Sequence, residues 1–205
     1  MATPERTYRA DRSRRAILEA AAPEFAAHGF AGASLNRIIR ASGLTKGGFY
    51  FHFPSKQALA LAVLGDQYER WWARVLSEVG PLPRAVDRLF ATPRVIARQI
   101  REGEGPGTLG KLIEELARDP DLRDEVCGSL RIAVEMTTAQ FAEAQAEGDI
   151  RSDLDPALLA EVAVGGFAGM QTMTEQLADD DLERRVEALI LVVRTATTSP
   201  QEGGP

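Results

Sequence analysis

Apolar residues recur at three- and four-residue spacings along almost the whole chain, the period of an amphipathic helix. The first run is Ile17, Leu18, Ala21, Ala22 and Phe25, which predicts a helix from Asp11 to His28 with Gly29 as its C-terminal glycine. Pro23 falls inside that run. An interior proline forfeits one backbone hydrogen bond, at a cost of about 3 kcal/mol, so a kink is expected there. Leu35, Ile38 and Ile39 predict a short second helix from Leu35 to Ser42, with Ser34 as its N-cap and Gly43 as its break. Thr45 caps a third helix that reaches Phe51 and carries Phe49 and Tyr50. Pro54-Ser55 then opens a long helix through Leu59, Val63, Tyr68, Trp72 and Leu76, ended by Gly80-Pro81.

Downstream the same period continues. Thr92-Pro93 marks either a kink or a fresh helix start. Residues 102–107 read as a loop, and Thr108 to Arg118 as a helix. Asp119-Pro120 starts a helix to Glu147, with Leu122, Val126, Leu130, Ala133, Thr137 and Phe141 down one face. Asp155-Pro156 starts another, to Leu177. Asp179 to Asp181 puts negative charge at the positive end of a last helix that reaches Thr197. Residues 198–205 predict a disordered tail. No alternating strand pattern appears.

Composition narrows the classes. The chain has 205 residues, 44% of them apolar, which is enough for a substantial core and excludes global disorder. One cysteine, Cys127, excludes a disulfide scaffold, and with His28 and His52 it falls short of the four ligands of a structural zinc. Cys127 is expected to be a small buried apolar group. No apolar run approaches the roughly 20 residues that span a bilayer. The Arg-rich start, Met1 to Arg15, lacks the apolar core of a secretory signal. A cytoplasmic protein with no membrane partner is expected.

The net charge of −6 hides an asymmetry: residues 1–60 hold nine Lys/Arg against four Asp/Glu, and the rest hold fifteen against twenty-six. A basic part on an acidic chain fits either a polyanion met at that end or a basic arm with no partner. Chemistry for catalysis is lacking, with no Gly-x-Ser-x-Gly, no phosphate-binding glycine loop followed by Lys-Ser/Thr, and no His-Glu-x-x-His. No enzyme activity and no cofactor are expected.

Ser34 to Lys56 is the informative segment. Two short helices separated by a glycine have the form of a helix-turn-helix, whose second helix lies in a DNA major groove. Lys46 stands at the start of that helix, where side chains reach base edges. Gly47 and Gly48 remove side chains and let the backbone approach. Thr45, Tyr50, His52 and Lys56 offer donors to phosphate oxygens. Arg12, Arg14 and Arg15 form an arm that could reach a flanking phosphate or the minor groove.

The run Leu44-Thr45-Lys46-Gly47-Gly48-Phe49-Tyr50-Phe51-His52-Phe53-Pro54-Ser55-Lys56 resembles the DNA-binding signature of the TetR family of bacterial repressors. Ala16-Ile17-Leu18-Glu19-Ala20-Ala21 and Phe25-Ala26-Ala27-His28-Gly29-Phe30 resemble its first helix, so the likeness runs from about residue 13 to 64. It implies an all-α fold, with an N-terminal three-helix helix-turn-helix DNA-binding domain (1–53) joined to a larger helical ligand-binding and dimerisation domain (54–197). It implies base-facing roles for Lys46 and Gly47, phosphate contacts for Thr45, Tyr50, His52 and Lys56, and packing roles for Phe49 and Phe53. The function implied is that of a homodimeric repressor that binds a near-palindromic double-stranded operator and is released by a small apolar or amphipathic effector. A helical small-molecule-binding protein without tight DNA binding is the alternative.

The dimer is expected through the last two helices, where Leu189 to Val193 is apolar on every side and Gly165, Gly166 and Gly169 allow close approach. Candidate ligand-binding residues are Trp72, Phe90, Met136, Gln140, Phe167, Met170 and Gln171, since ligand pockets are mostly apolar with few polar groups. Val164 to Gln171 also looks like the branch of the family that senses γ-butyrolactone signals. That branch tends to carry a tryptophan on a middle ligand-domain helix, and none occurs between residues 73 and 205.

Overall fold

A computed structural model describes residues 4–126 and 128–198. Cys127 and most of the expected tail, residues 199–205, lie outside the described residues. The regular elements are helices: α1 Pro4–Gly32, α2 Leu35–Ala41, α3 Lys46–His52, α4 Lys56–Val79, α5 Ala85–Arg101, α6 Gly110–Ala117, α7 Pro120–Val126, α8 Gly128–Ala146, α9 Pro156–Leu177 and α10 Leu182–Thr197, with a 3₁₀ turn at Pro106–Leu109 before α6. The chain forms two compact units. One takes the residues up to 71 together with 105–128, and the other takes 72–104 together with those from 129 on. The first unit is therefore larger than the three helices before residue 53. It also includes the first part of α4, as well as α6 and α7.

The first unit has one continuous core. Ile17, Leu18, Ala21 and Phe25 of α1 meet Ile38 of α2, Phe49 of α3, and Leu59, Val63 and Leu64 of α4, and Leu112 and Leu116 of α6 close it. Each fully buried leucine or phenylalanine contributes about 1.5–3 kcal/mol of transfer free energy. Two backbone features shape the unit. Gly29 adopts φ 65° and is where the dihedrals of α1 leave the helical region, so the break falls there and not at Pro23, which α1 carries inside it. Gly43 adopts φ 70° in the turn between α2 and α3, a conformation that costs an L side chain about 1–2 kcal/mol.

The second unit has its own core from α5 (Val86, Leu89, Phe90), α8 (Phe141, Ala144), α9 (Ala160) and α10 (Val186, Ile190, Val193). The expected face from Leu122 to Phe141 does not act as one stripe. Leu122 and Val126 belong to the first core and Phe141 to the second, and Leu130 is exposed. Pro93 neither kinks α5 into two elements nor starts one. The Thr92 hydroxyl donates to the Arg88 carbonyl (2.7 Å), and the Arg94 guanidinium donates to the Phe90 carbonyl (3.0 Å). These side chains serve carbonyls in the turn that the proline weakens. Asp155 caps α9 as expected, accepting the Ala157 N–H at 2.8 Å.

Candidate functional site

The helix-turn-helix is held by its own caps. Ser34 accepts the Arg37 N–H at the start of α2 (3.4 Å), and Thr45 accepts the Gly48 N–H at the start of α3 (3.1 Å). Glu24 of α1 reaches across to α2, accepting the Ser34 N–H at 2.8 Å and the Arg37 guanidinium at 2.6–3.0 Å. Those Arg37 bonds, and then the Ser34 N–H, pull the Glu24 carboxyl down to about 2. One carboxylate thereby fixes the entry of α2 against α1. A second carboxylate, Glu115 of α6, accepts the Ala31 N–H at 2.8 Å in the turn that follows Gly29.

Helix α3 divides by face. Phe49 is fully buried, and Phe53 just after the helix is nearly so, with their rings 6.2 Å apart. Thr45, Lys46, Gly47, Tyr50 and Phe51 are exposed. Tyr50 is 44% exposed and sets its ring edge-on to Phe49 at 5.2 Å, which anchors the ring at the surface. The two glycines differ. A Cβ at Gly47 would meet nothing within 4 Å, whereas one at Gly48 would touch the Thr45 hydroxyl at 3.4 Å. Gly47 is the outward one, and Gly48 faces the cap. His52 is half-buried against the Phe51 ring, at 5.1 Å.

Lys56 departs from a solvated cation waiting for phosphate. Its ammonium donates to the Ala31 carbonyl at 3.2 Å and lies 5.1 Å from the Phe30 ring centre. One of its three N–H donors is thus spent on the end of α1, and two remain. Arg14 lies over Phe53 at 5.4 Å. Phe51, which is not among the expected site residues, is 75% exposed on this helix. Its signal was the spacing: two residues from both Phe49 and Phe53, it falls on the opposite face of the helix.

In the second unit, Phe90 is buried, with the Arg194 guanidinium 5.0 Å above its ring. Phe167 and Met170 of α9 pack against the same core, half-buried. Trp72, Met136, Gln140 and Gln171 are also half-buried, and Gln171 donates to Glu175 at 3.1 Å. A residue that sequence reasoning missed is Gln99 of α5. It is buried and donates to Glu78 at 3.0 Å, and its carbonyl oxygen meets no donor among the described residues. Nothing in the sequence separated it from the other polar residues of an amphipathic helix.

The last two helices carry most of the exposed aliphatic surface, with Leu76 on α4 and Leu130 and Ile132 on α8 besides. On α9 the exposed residues are Leu158, Val162, Met173 and Leu177, and on α10 they are Leu191 and Val192. The run Leu189 to Val193 is therefore split. Ile190 and Val193 lie in the unit's own core, and Leu191 and Val192 face outward. The glycines split too. A Cβ on Gly166 would come within 2.9 Å of Leu189, whereas Gly165 and Gly169 open onto free space. Gly166 serves the packing of α9 on α10, and the other two lie level with the outward stripe.

A capped helix-turn-helix on a compact core, followed by a separate helical unit, defines a two-part bacterial regulator. The chain belongs to the TetR family. Residues 17–63 match the model for bacterial regulatory proteins of the tetR family, and residues 85–190 match that of the tetracyclin repressor-like C-terminal domain. It is similar to the A-factor receptor protein of Streptomyces griseus, 29% identical over 82% of this chain but only 56% of that protein's length. It is similar to the transcriptional regulator AcuR of Cereibacter sphaeroides, 31% identical over 76% of this chain and 73% of that one. A solved structure described as the molecular basis for control of antibiotic production by a bacterial hormone matches with TM-score 0.70 at 28% identity, covering 91% of this chain and 97% of that one. Regulators of this family bind operator DNA and ligands and function as dimers. Its relatives are named as transcriptional regulators, and among the described residues no helix is long and apolar enough to cross a membrane.

Proposed function

We propose that the protein is a homodimeric, sequence-specific repressor that a small-molecule effector releases from its operator. The observation that carries this reading is the outward face of α3, where Thr45, Lys46, Gly47 and Tyr50 stand exposed on a helix anchored beneath by Phe49. Lys46 contacts base edges, and Gly47 lets the backbone approach. Thr45, Tyr50, His52 and the free donors of Lys56 contact phosphates, with Ser34 and Gly48 holding the caps. A second copy docks through the outward stripes of α9 and α10. Two α3 helices related by a two-fold axis then read a near-palindromic site with half-sites spaced by whole helical turns.

The effector is a small apolar or amphipathic molecule bound in the second unit among Trp72, Phe90, Met136, Gln140, Phe167, Met170 and Gln171. A relative named as an A-factor receptor supports an effector-binding role for this unit. Only a difference in affinity between the DNA-binding and released arrangements moves the equilibrium. A hundredfold loss of DNA affinity needs about 2.7 kcal/mol of such preference.

The test is a mobility shift on DNA flanking the protein's own gene, with a scrambled duplex beside it. Specific retardation is expected. Apolar metabolites that raise the melting temperature should then release that DNA. Stabilisation by ligand without any retardation would instead favour a ligand-binding protein that no longer binds DNA.

A further inference from the structure

Phe51 is unused by the reading above. A singly exposed apolar side chain is ordinary on a protein surface. What sets Phe51 apart is its position, 75% exposed on α3, one turn after Gly47, where the surface is open. The two other phenylalanines of this segment, Phe49 and Phe53, carry the packing, so Phe51 is not needed for the core. The ring is also oriented, since it meets the His52 ring edge-on at 5.1 Å and 85°.

A phenyl ring has no hydrogen-bond donor or acceptor. Major-groove edges present donors and acceptors, and the thymine C5 methyl is their apolar group. A ring pressed on any other edge would strip water from a polar atom and give nothing back. We propose that Phe51 is a specificity-determining residue that reads a thymine methyl in each half-site. This rests on the assignment of α3 to the major groove. Phe51 thus selects by contact and by exclusion, whereas Lys46, at the other end of α3, selects through acceptors such as those of guanine.

The test starts with the duplex that the full-length protein enriches from a randomised pool. Each of its thymines is replaced in turn by deoxyuridine, which removes the methyl and keeps the base pair. Binding is read by fluorescence anisotropy for the wild type and Phe51→Ala, with a scrambled duplex as reference. At one symmetric pair of positions, deoxyuridine should weaken the wild type roughly fifteenfold, about fourfold for each buried methyl. Phe51→Ala should bind both forms equally and should match the wild type on scrambled DNA. The proposal is overturned if no methyl-sensitive pair exists, or if the penalty persists in Phe51→Ala. An equal loss on enriched and scrambled DNA also overturns it, because the ring then acts on the backbone. Failure to enrich any duplex would remove the DNA-binding reading itself, and this assignment with it.

Discussion

In the first unit the exposed apolar surface centres on Tyr50 and Phe51 of one seven-residue helix, with Tyr8 apart from them; in the second it includes Leu76, Leu130 and Ile132, but most of it runs along helices of 22 and 16 residues. The chemistry differs as well as the extent. The α3 rings stand beside Thr45, Lys46 and a bare glycine, a mixture suited to the polar, charged grooves of DNA. The α9 and α10 stripes are aliphatic, with Gly165 and Gly169 level among them, a composition suited to a helix from another copy. The units hold themselves together by similar means. In the first, single carboxylates of Glu24 and Glu115 satisfy backbone N–H groups at helix ends. In the second, Glu147 accepts the Ala85 N–H, and ion pairs cross between helices, Arg94 to Glu187, Arg98 to Glu78 and Arg101 to Glu183, as Arg37 to Glu24 does in the first. The pairs of the second unit are solvent-exposed, so water and salt screen them and each contributes little to stability. The second unit depends on its aliphatic core and on whatever covers its stripes.

The sharpest way to break this comparison uses neighbouring residues of α10. Ile190 is 4% exposed and Leu191 is 65% exposed. Ile190→Glu buries an unpaired carboxylate and should cost more than about 4 kcal/mol, collapsing the thermal transition and the helical circular dichroism. Leu191→Glu should keep the helical signal and sediment as a monomer. Were Leu191→Glu to sediment as the same dimer as the wild type, the outward stripe of α10 would not be the interface.

In the first unit the matching pair lies two residues apart. Phe49→Ala empties a fully buried site and should cost about 3–5 kcal/mol by urea denaturation. Phe51→Ala should stay within about 0.5 kcal/mol of the wild type. Equal losses would mean that the two faces of α3 have been told apart wrongly.

How far each unit was legible follows from the same contrast. The first spells its elements with local signals. Ser34 and Thr45 are caps, Gly29 and Gly43 are turns, and each of these acts within a few residues of itself. Its tight residue spacing also carried the family likeness. Pro23 does not split α1, because one lost hydrogen bond costs less than breaking a helix that buries Ile17, Leu18, Ala21 and Phe25 on either side of it. In the second unit the run Leu189 to Val193 is apolar all round, so its sequence alone could not say which residues face inward. That depends on where α5 and α9 pack. The reach of the first core past residue 53 was hidden for a similar reason, since α6 joins it through Leu112 and Leu116 although it is distant in sequence. The bond of Lys56 to Ala31 and its place over Phe30 were not legible beside its expected phosphate role, because those partners are about 25 residues away.

Electrostatics sharpens the contrast within α3 and its flank. Lys46→Ala should relax specificity at one position per half-site by roughly 1–3 kcal/mol. Lys56→Ala should weaken binding to all duplexes alike and flatten the salt dependence of log K by nearly two units, about one for each subunit's lost phosphate contact. Lys56→Met keeps the stem near Phe30 and should reproduce the change in salt slope with a smaller loss of stability. An unchanged slope in both variants would assign Lys56 wholly to holding the end of α1.

The smallest expected effect concerns Glu24, and its sign follows from the direction of its shift. The carboxyl is pulled from 4.5 to about 2, first by the Arg37 guanidinium and next by the Ser34 N–H. The folded chain therefore binds this proton less readily than the unfolded chain does. Its stabilising contribution is complete above about pH 4.5 and is lost as the pH falls towards about 2. Glu24→Gln should be less stable than the wild type at pH 7, and the gap should narrow through that window and close at its lower end. Arg37 is half exposed, so solvent screens the pair and the gap is expected to be modest and to shrink further in high salt. The measurement is the difference in urea midpoint between wild type and Glu24→Gln at steps from pH 7 to pH 2. Glu187→Gln offers the comparison from the second unit, where Arg94 likewise lowers the carboxyl but no backbone N–H bond to it contributes. Its gap at neutral pH should be smaller than that of Glu24→Gln, because what Glu24 adds is the fixing of the first turn of α2. A Glu24 gap that stayed constant down to pH 2 would show that the residue acts through its shape and not through its charge.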